Sequence, residues 1–279
     1  MWFPMESCKC DVITPILWHM LHSLTPALAR RRAAAAHVVV GLLMPLTAGG
    51  GDGDTEDTAT GLTVLAASSL TDVFKEAGAA YEKAHPGTKV TFSFAGSQEL
   101  AAQVGQGAPA DALVTADTRT MDGLRSDTGT PVVIARNRLV IATGKGNPEK
   151  VESLEDLADT ELKVVLAAPE VPVGRYSKQI LDARKITVKP VSQEPNVRAV
   201  LSKVELGEAD AGLVYRTDVA SAAGKVDSVD IPDEQNAVAS YPAAALKAGK
   251  HSEEAEAFVK WLSSPEARKI LTDAGFQQP

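Results

Sequence analysis

The sequence has no cysteine after residue 60, because its two cysteines are Cys8 and Cys10. The later part of the chain therefore has neither a disulfide bond nor thiol chemistry. Excess positive charge is also lacking: the net charge is −8 at pH 7, which argues against a general nucleic-acid binder. Aromatic residues make up 5% of the chain, which leaves little for the ring stacking that a sugar-binding cleft would use.

Motifs of the common enzyme classes are absent as well. The chain has no Gly-x-Ser-x-Gly elbow, no Gly-Lys-Ser phosphate loop and no His-Glu-x-x-His zinc motif. Its two histidines after residue 60, His85 and His251, lie in polar segments without a neighbouring nucleophile or a second metal ligand. We therefore expect a protein that is not an enzyme.

The first sixty residues differ in composition from the rest. Three arginines at positions 30–32 precede a short apolar segment and then small residues, which is the layout of a secretory signal. We expect residues 1–49 to be a leader, with translation starting at Met1 or Met20. Residues 50–60 are rich in Gly, Asp and Thr and predict a flexible linker. A retained membrane anchor is the alternative, although the apolar segment is short for a span.

A lipobox-like sequence ends this leader. Leu46, Thr47 and Ala48 match the residues that precede the lipid-bearing cysteine of bacterial lipoproteins, but Gly49 stands at the cysteine position. The chain as written cannot be lipidated there. We expect an exported protein, located in the periplasm or on the outer face of the cytoplasmic membrane.

From residue 62 onward, strand patterns alternate with helix patterns. Apolar or alternating runs at residues 62–68, 89–95 and 110–116 are each followed by a helical pattern. This alternation predicts a doubly wound α/β sheet. A second α/β series follows, with strands predicted at residues 188–192 and 211–217. Residues 227–236 are polar and carry no predicted element.

Two long β-rich stretches, at residues 131–146 and 237–247, bracket the second series. We interpret them as crossovers between two lobes. Lobe 1 is then residues 61–139 together with 238–279, and lobe 2 is residues 140–237. Two α/β lobes joined by two crossover strands predict a cleft that closes on a ligand.

Serines lie where two of the predicted strands give way to helices. Ser69 follows the first strand and Ser97 follows the second. Each could simply cap its helix, and the spacing from Ser69 to Asp72 fits such a cap. Alternatively, the unpaired N–H groups of these helix starts, with the serine hydroxyls, could bind an anion at the carboxyl ends of the strands.

The chain resembles the molybdate-binding proteins of bacterial ABC uptake systems in five segments, in the same order and at matching spacing: AASSLTDVF, FAGSQELAAQV, GAPADALVTAD, PEVPVGRYS and GLVYRTDVA. The resemblance runs from about residue 62 to residue 276. It implies a two-lobed fold of the type II periplasmic binding protein kind. It also implies capture of molybdate and tungstate, and delivery of the anion to the permease of an ABC transporter.

The resemblance further implies a ligand set of hydroxyls and backbone N–H groups from both lobes. The matching positions are Ser69, Ser97, Val173, Val197 and Tyr215. Molybdenum is then held as its oxyanion, without direct bonds from the protein to the metal and without a further cofactor. No cation is expected on the oxyanion, so Arg175 and Arg198 are expected to be solvated. Gly96 departs from the pattern, since many relatives have serine there.

Other functions remain open from the residues alone. A receptor for another tetrahedral oxyanion, such as sulfate, is the main alternative, and an interaction module without a small ligand is another. Phosphate is disfavoured, because it carries a proton near neutral pH and no acidic residue occupies a matched position. We expect a monomer whose partners are the oxyanion and a permease, and not nucleic acid.

Overall fold

The computed structural model describes residues 60–279. The predicted leader, the lipobox-like sequence, both cysteines and residues 50–59 of the predicted linker lie outside the described residues, whereas Thr60 begins the first strand. Within residues 60–279, no helix combines the length and the apolar character that a membrane crossing requires.

The first part of the described chain alternates strands and helices, as the sequence predicts. Strands β1 and β2 pair in parallel along their whole length, and β3 joins the other edge of β1, also in parallel. A short 3-10 turn at Ser68–Leu70 separates β1 from its helix. The elements are β1 (Thr60–Ala67), α1 (Thr71–Ala84), β2 (Thr88–Ala95), α2 (Ser97–Gly105), β3 (Ala112–Val114) and α3 (Thr118–Asp122).

The remaining elements build a second α/β series and then return to the first. Pro172 starts α4, where its missing N–H has no consequence, and the Asn196 side chain caps α5 by accepting from the Ala199 N–H at 3.0 Å. The elements are β4 (Val132–Gly144), β5 (Val164–Ala167), α4 (Pro172–Ala183), β6 (Ser192–Glu194), α5 (Val197–Glu205), β7 (Ala211–Tyr215), α6 (Arg216–Ser221), β8 (Val226–Asp230), β9 (Val238–Ala245), α7 (Ser252–Trp261) and α8 (Pro265–Asp273).

Strand β4 is shared between two parts of the sheet. The strand order is β2-β1-β3-β9-β4-β7-β5-β6, and β8 also pairs with β4. Residues 132–138 of β4 pair with β9, whereas residues 139–143 pair with β7. We call β1, β2, β3, β9 and their helices α1–α3, α7 and α8 the first half, and β5–β8 with α4–α6 the second half. The predicted α/β class is confirmed, whereas the exact lobe limits stay a prediction.

Three local predictions were wrong. The strand expected at residues 188–192 begins at Ser192, because Pro190 has no N–H to give to the neighbouring strand. The strand expected at residues 211–217 ends at Tyr215, where α6 begins; its six residues are too few to show a helical period. Strand β8 lies in the region without a predicted element, and its charged residues are those of a half-exposed strand.

Candidate functional site

All five residues that the sequence singles out line one small cavity. Ser69 and Ser97 reach it from the first half, and Val173, Val197 and Tyr215 reach it from the second. The cavity lies at the carboxyl ends of β1, β2 and β7, where the next helical turns begin. Its volume is about 10 Å³, which is room for about one water molecule. A tetrahedral oxyanion is larger, so the two halves must separate slightly to admit one.

The walls of this cavity offer hydrogen-bond donors without charge. None of the residues in the described range that line it is Lys, Arg, Asp, Glu or His. Val173 and Val197 lie in the first turns of α4 and α5, where backbone N–H groups have no acceptor within the helix. Their side chains are 1% and 3% exposed, so these N–H groups face a region from which water is largely excluded.

Neither serine caps its helix, although the sequence left that interpretation open. Helix α1 begins after Leu70 and has no side-chain cap, while the Ser69 Oγ lies 3.0 Å from the Tyr241 hydroxyl. The Ser97 Oγ accepts a hydrogen bond from the Ala116 N–H at 3.0 Å. Both hydroxyls are buried, and each can form a further hydrogen bond with a ligand.

Tyr215 carries the most conspicuous unsatisfied group of the cavity. Its side chain is 1% exposed, and its hydroxyl has no hydrogen-bond partner among residues 60–279. Burial raises the pKa of this phenol well above its usual value, so the hydroxyl keeps its proton at all physiological pH values. A buried donor without an acceptor is unfavourable by about 1–3 kcal/mol, which suggests that an acceptor binds there in another state of the protein.

The two neighbouring arginines form ion pairs and are only partly exposed, whereas the sequence predicted solvated side chains. Arg175 directs its Nε to Asp117 at 3.0 Å and an Nη to Thr120 at 2.8 Å. Arg198 lies 2.8 Å from Asp72 and 3.0 Å from Asp218. Both cations are thus paired with carboxylates and neither lines the cavity, which their position at a helix start alone could not reveal.

Besides the hydrogen bond from Arg175 to Thr120, three contacts join the two halves around the cavity. Each of them links a helix of one half to a helix start or loop of the other. The contacts are the Arg175–Asp117 pair, the Arg198–Asp72 pair and the hydrogen bond from the Gln98 amide to the Pro195 carbonyl at 2.8 Å. They hold the cavity in its narrow form.

Sequence reasoning missed three buried polar residues beside the cavity. None of Tyr241, Asp218 and Asn137 belongs to the ligand set that the sequence predicts. Tyr241 and Asp218 are 0% exposed and Asn137 is 1% exposed. The available signal was a polar side chain among small apolar residues, as at Tyr241 in β9; at Asn137 the flanking Arg136 and Arg138 hid such a signal.

Asp218 is the buried carboxyl of this group. It accepts from the Tyr215 N–H at 3.0 Å and lies beside Arg198. Burial raises the pKa of Asp218 to about 7, against the opposing influence of the Arg198 charge. In an unfolded chain the pKa would be about 3.9. At pH values between about 3.9 and about 7, the Asp218 carboxyl is therefore more often protonated in the folded protein than in the unfolded chain.

This difference predicts how stability depends on pH. As pH rises from about 4 to about 7, Asp218 should lower the free energy of unfolding of the ligand-free protein, by at most about 1.4 kcal/mol per pH unit. Asp218→Asn should lack this slope, which denaturant melts at several pH values would measure. Asp227→Asn is the control: the hydrogen bond with Lys145 lowers the pKa of this exposed carboxyl, so its own influence on stability lies at the acid end of the range and the slope between about pH 5 and 7 should stay that of the wild type. Equal slopes in Asp218→Asn and wild type would contradict the assignment.

Comparisons with known proteins identify the family and the fold. Residues 62–277 match the family described as bacterial extracellular solute-binding protein. The chain is 41% identical over 224 residues to the molybdate-binding protein ModA of Mycobacterium bovis, covering 79% of this chain and 86% of that protein.

Two solved structures share the fold. The Azotobacter vinelandii periplasmic molybdate-binding protein has a TM-score of 0.67 at 23% identity, over 78% of this chain and 99% of that one. The sulfate-binding protein SubI of Mycobacterium tuberculosis has a TM-score of 0.70 at 18% identity, over 78% and 87%. At these identities both support the fold alone, and they confirm the predicted two-lobed, type II periplasmic-binding-protein class.

Proposed function

The chain belongs to the bacterial extracellular solute-binding protein family, and from this premise we propose that it captures molybdate and delivers it to the permease of an ABC transporter. Tungstate, which is nearly the same size, is proposed as a second ligand. The observation that carries the proposal is the convergence of Ser69, Ser97, Val173, Val197 and Tyr215 on one cavity.

The chemistry of the walls suits a tetrahedral dianion. Molybdate has only acceptor oxygens, so it needs donors on several sides. Hydroxyls and helix-start N–H groups supply such donors without burying a fixed cation. Because the cavity is closed to water, each of these hydrogen bonds is stronger than it would be on the surface. Molybdenum is thus proposed to be held through its oxygens, with no further cofactor.

Sulfate is the alternative ligand, since it has the same charge and shape but shorter bonds. The donors come from both halves, so the width that the cavity takes up around a bound molybdate fixes the distances among them. A smaller anion could not reach all of them, and each unmet donor is unfavourable in a dry site. We therefore propose that the site distinguishes molybdate from sulfate by the size of the anion and not by its charge.

Competition in a titration calorimeter tests this function. Molybdate titrated into the protein should bind one to one, and it should give no heat of binding after the protein has been saturated with tungstate. Prior addition of sulfate at the same concentration should leave the molybdate titration nearly unchanged. If sulfate blocks molybdate as well as tungstate does, the sulfate alternative replaces the proposed function.

Gly96 gives a prediction about closure. Its backbone, with φ −63° and ψ 141°, suits any residue, but a Cβ there would lie 2.5 Å from the Pro195 carbonyl oxygen of the second half. Gly96→Ala should therefore keep the halves apart when the protein binds its ligand. Overpacking of this kind costs about 1–3 kcal/mol, so molybdate affinity should fall by about five- to a hundredfold in calorimetric titration.

Gly105→Ala is the matched control for that variant. It adds a methyl group to the same helix at a position with no atom within 4 Å. It should bind molybdate like the wild type, and both variants should melt near the wild-type temperature without ligand. Unchanged affinity in Gly96→Ala would mean that binding does not require the close approach of Pro195.

The same proposal extends to location and assembly. We propose that the protein acts outside the cytoplasmic membrane as a monomer, since one chain supplies all five groups of the cavity. We further propose that Gly49, at the cysteine position of the lipobox-like sequence, leaves it without a lipid anchor. Metabolic labelling with a fatty acid should accordingly leave the protein unmarked.

A further inference from the structure

Tyr241 lies directly behind the proposed anion site without lining it. Its side chain on β9 is 0% exposed, and its hydroxyl lies 3.0 Å from the Ser69 Oγ. Its ring also meets the Tyr215 ring edge-on, with 6.0 Å between the ring centres. The residue therefore contacts two of the five proposed ligand groups.

The Ser69 hydroxyl has one proton, and its direction decides what the residue can do. If Ser69 donates to Tyr241, it has no proton left for an anion. If Tyr241 donates to Ser69, the serine accepts with a lone pair and keeps its own proton for an oxygen of the ligand. The surroundings of the Tyr241 hydroxyl distinguish these two arrangements.

Asn137 is a buried polar residue of the neighbouring strand β4. The backbone pairs Asn137 with Ala239, which places Asn137 and Tyr241 as diagonal neighbours on adjacent strands. The Asn137 side-chain carbonyl accepts from the Arg138 N–H at 2.9 Å, which orients the amide group. Its NH₂ group donates to the Thr217 hydroxyl at 2.8 Å.

Among residues 60–279, the Ser69 Oγ is the one atom that forms a hydrogen bond with the Tyr241 hydroxyl, so a phenol proton that pointed elsewhere would be buried without an acceptor. Burial raises the pKa of Tyr241 above its usual value, so the phenol keeps this proton. The donors then run in one direction, from Tyr241 to Ser69 and from Ser69 into the cavity. Hydrogen bonds aligned in this way polarise and strengthen one another.

We propose that Tyr241 is a positioning residue for anion binding: by donating to the Ser69 Oγ, it turns the serine proton into the cavity and makes it a stronger donor. This inference rests on the proposed function, because it assigns a role within that same site. Tyr241 itself does not touch the anion. Its effect on affinity must therefore pass through Ser69.

A double-mutant cycle tests this dependence with molybdate as the probe, in the full protein. Tyr241→Phe keeps the ring and removes the hydroxyl, and it should raise the dissociation constant by about three- to tenfold. Ser69→Ala should raise it by about ten- to a hundredfold. The double variant should bind as Ser69→Ala does, within about twofold, because the relay has no serine left to act on.

Tyr81→Phe is the matched control. Tyr81 is 2% exposed in the first half, where it packs against Phe258 and Trp261, and it does not line the anion cavity. It removes a hydroxyl from a largely buried tyrosine and should leave the dissociation constant unchanged. Melting of each ligand-free variant shows that the fold persists, which separates a loss of affinity from a loss of structure.

Two outcomes would overturn the inference alone: wild-type affinity in Tyr241→Phe, or a double variant whose loss equals the product of the two single losses. The second result would mean that Tyr241 acts through packing or through Tyr215 and not through Ser69. If the wild-type protein does not bind molybdate, the proposed function fails, and this role fails with it.

Discussion

Molybdate or tungstate in thousandfold excess over its dissociation constant should stabilise the protein by about 4 kcal/mol. For a domain of this size that is a rise in melting temperature of roughly 8–16 °C. Sulfate at the same concentration should give a much smaller rise. The three anions carry the same charge, so the difference should reflect how many donors of the closed cavity each anion can reach.

A melting scan with each anion at equal ionic strength measures this difference, with sodium chloride as the reference. The shift should survive moderate salt, because the selecting hydrogen bonds are shielded from solvent and involve no surface field that salt could screen. Equal protection by sulfate and molybdate would show that the site recognises charge alone. No protection by any oxyanion would favour an interaction module without a small ligand.

Tyr215→Phe should weaken molybdate binding by about ten- to a hundredfold, since it removes one hydrogen bond to a charged acceptor. The ligand-free protein should lose no stability, and its melting temperature should stay or rise. The reason is that the Tyr215 hydroxyl is buried and has no partner within residues 60–279, so its removal relieves an unpaired donor. Calorimetric titration and ligand-free melting measure the two effects separately.

Ser97→Ala is the contrasting variant. Its hydroxyl accepts from the Ala116 N–H, so the change should lower both molybdate affinity and the stability of the ligand-free protein. The loss of stability should be about 1–3 kcal/mol, because a buried backbone N–H would be left unpaired. If Tyr215→Phe instead loses stability and keeps its affinity, Tyr215 is a packing residue and not a ligand.

Much of the fold could be predicted from the sequence, because its strands and helices carry clear periods. The apolar run of β1 and the stripe of Val73, Phe74, Ala77 and Tyr81 on α1 are examples, and all of these side chains are buried. Ser69 and Ser97 could be placed for a related reason, because each lies where a strand pattern is followed by a helix pattern, whereas Val173, Val197 and Tyr215 were placed by the resemblance to a known family. In an α/β sheet such junctions gather at one edge.

The remaining features depend on distances across the fold that no local pattern encodes. Ser69 and Asp72 have the spacing of a helix cap, yet Ser69 contacts Tyr241, 172 positions away in the chain. The position of Arg198 at a helix start predicts a solvated side chain, but in the fold Asp72 of α1 lies 2.8 Å from it. The expected effect of Gly96→Ala on molybdate affinity likewise depends on Pro195, which belongs to the other half.

A crystal structure of the protein grown with molybdate, with the molybdenum located by its anomalous scattering, tests the central claim most directly. We predict a single strong peak in the cavity between the two halves. The oxygens around it should lie about 2.7–3.2 Å from the hydroxyls of Ser69, Ser97 and Tyr215 and from the N–H groups of Val173 and Val197, with no lysine or arginine in contact. A peak elsewhere, or an arginine bound to the oxygens, would contradict the account.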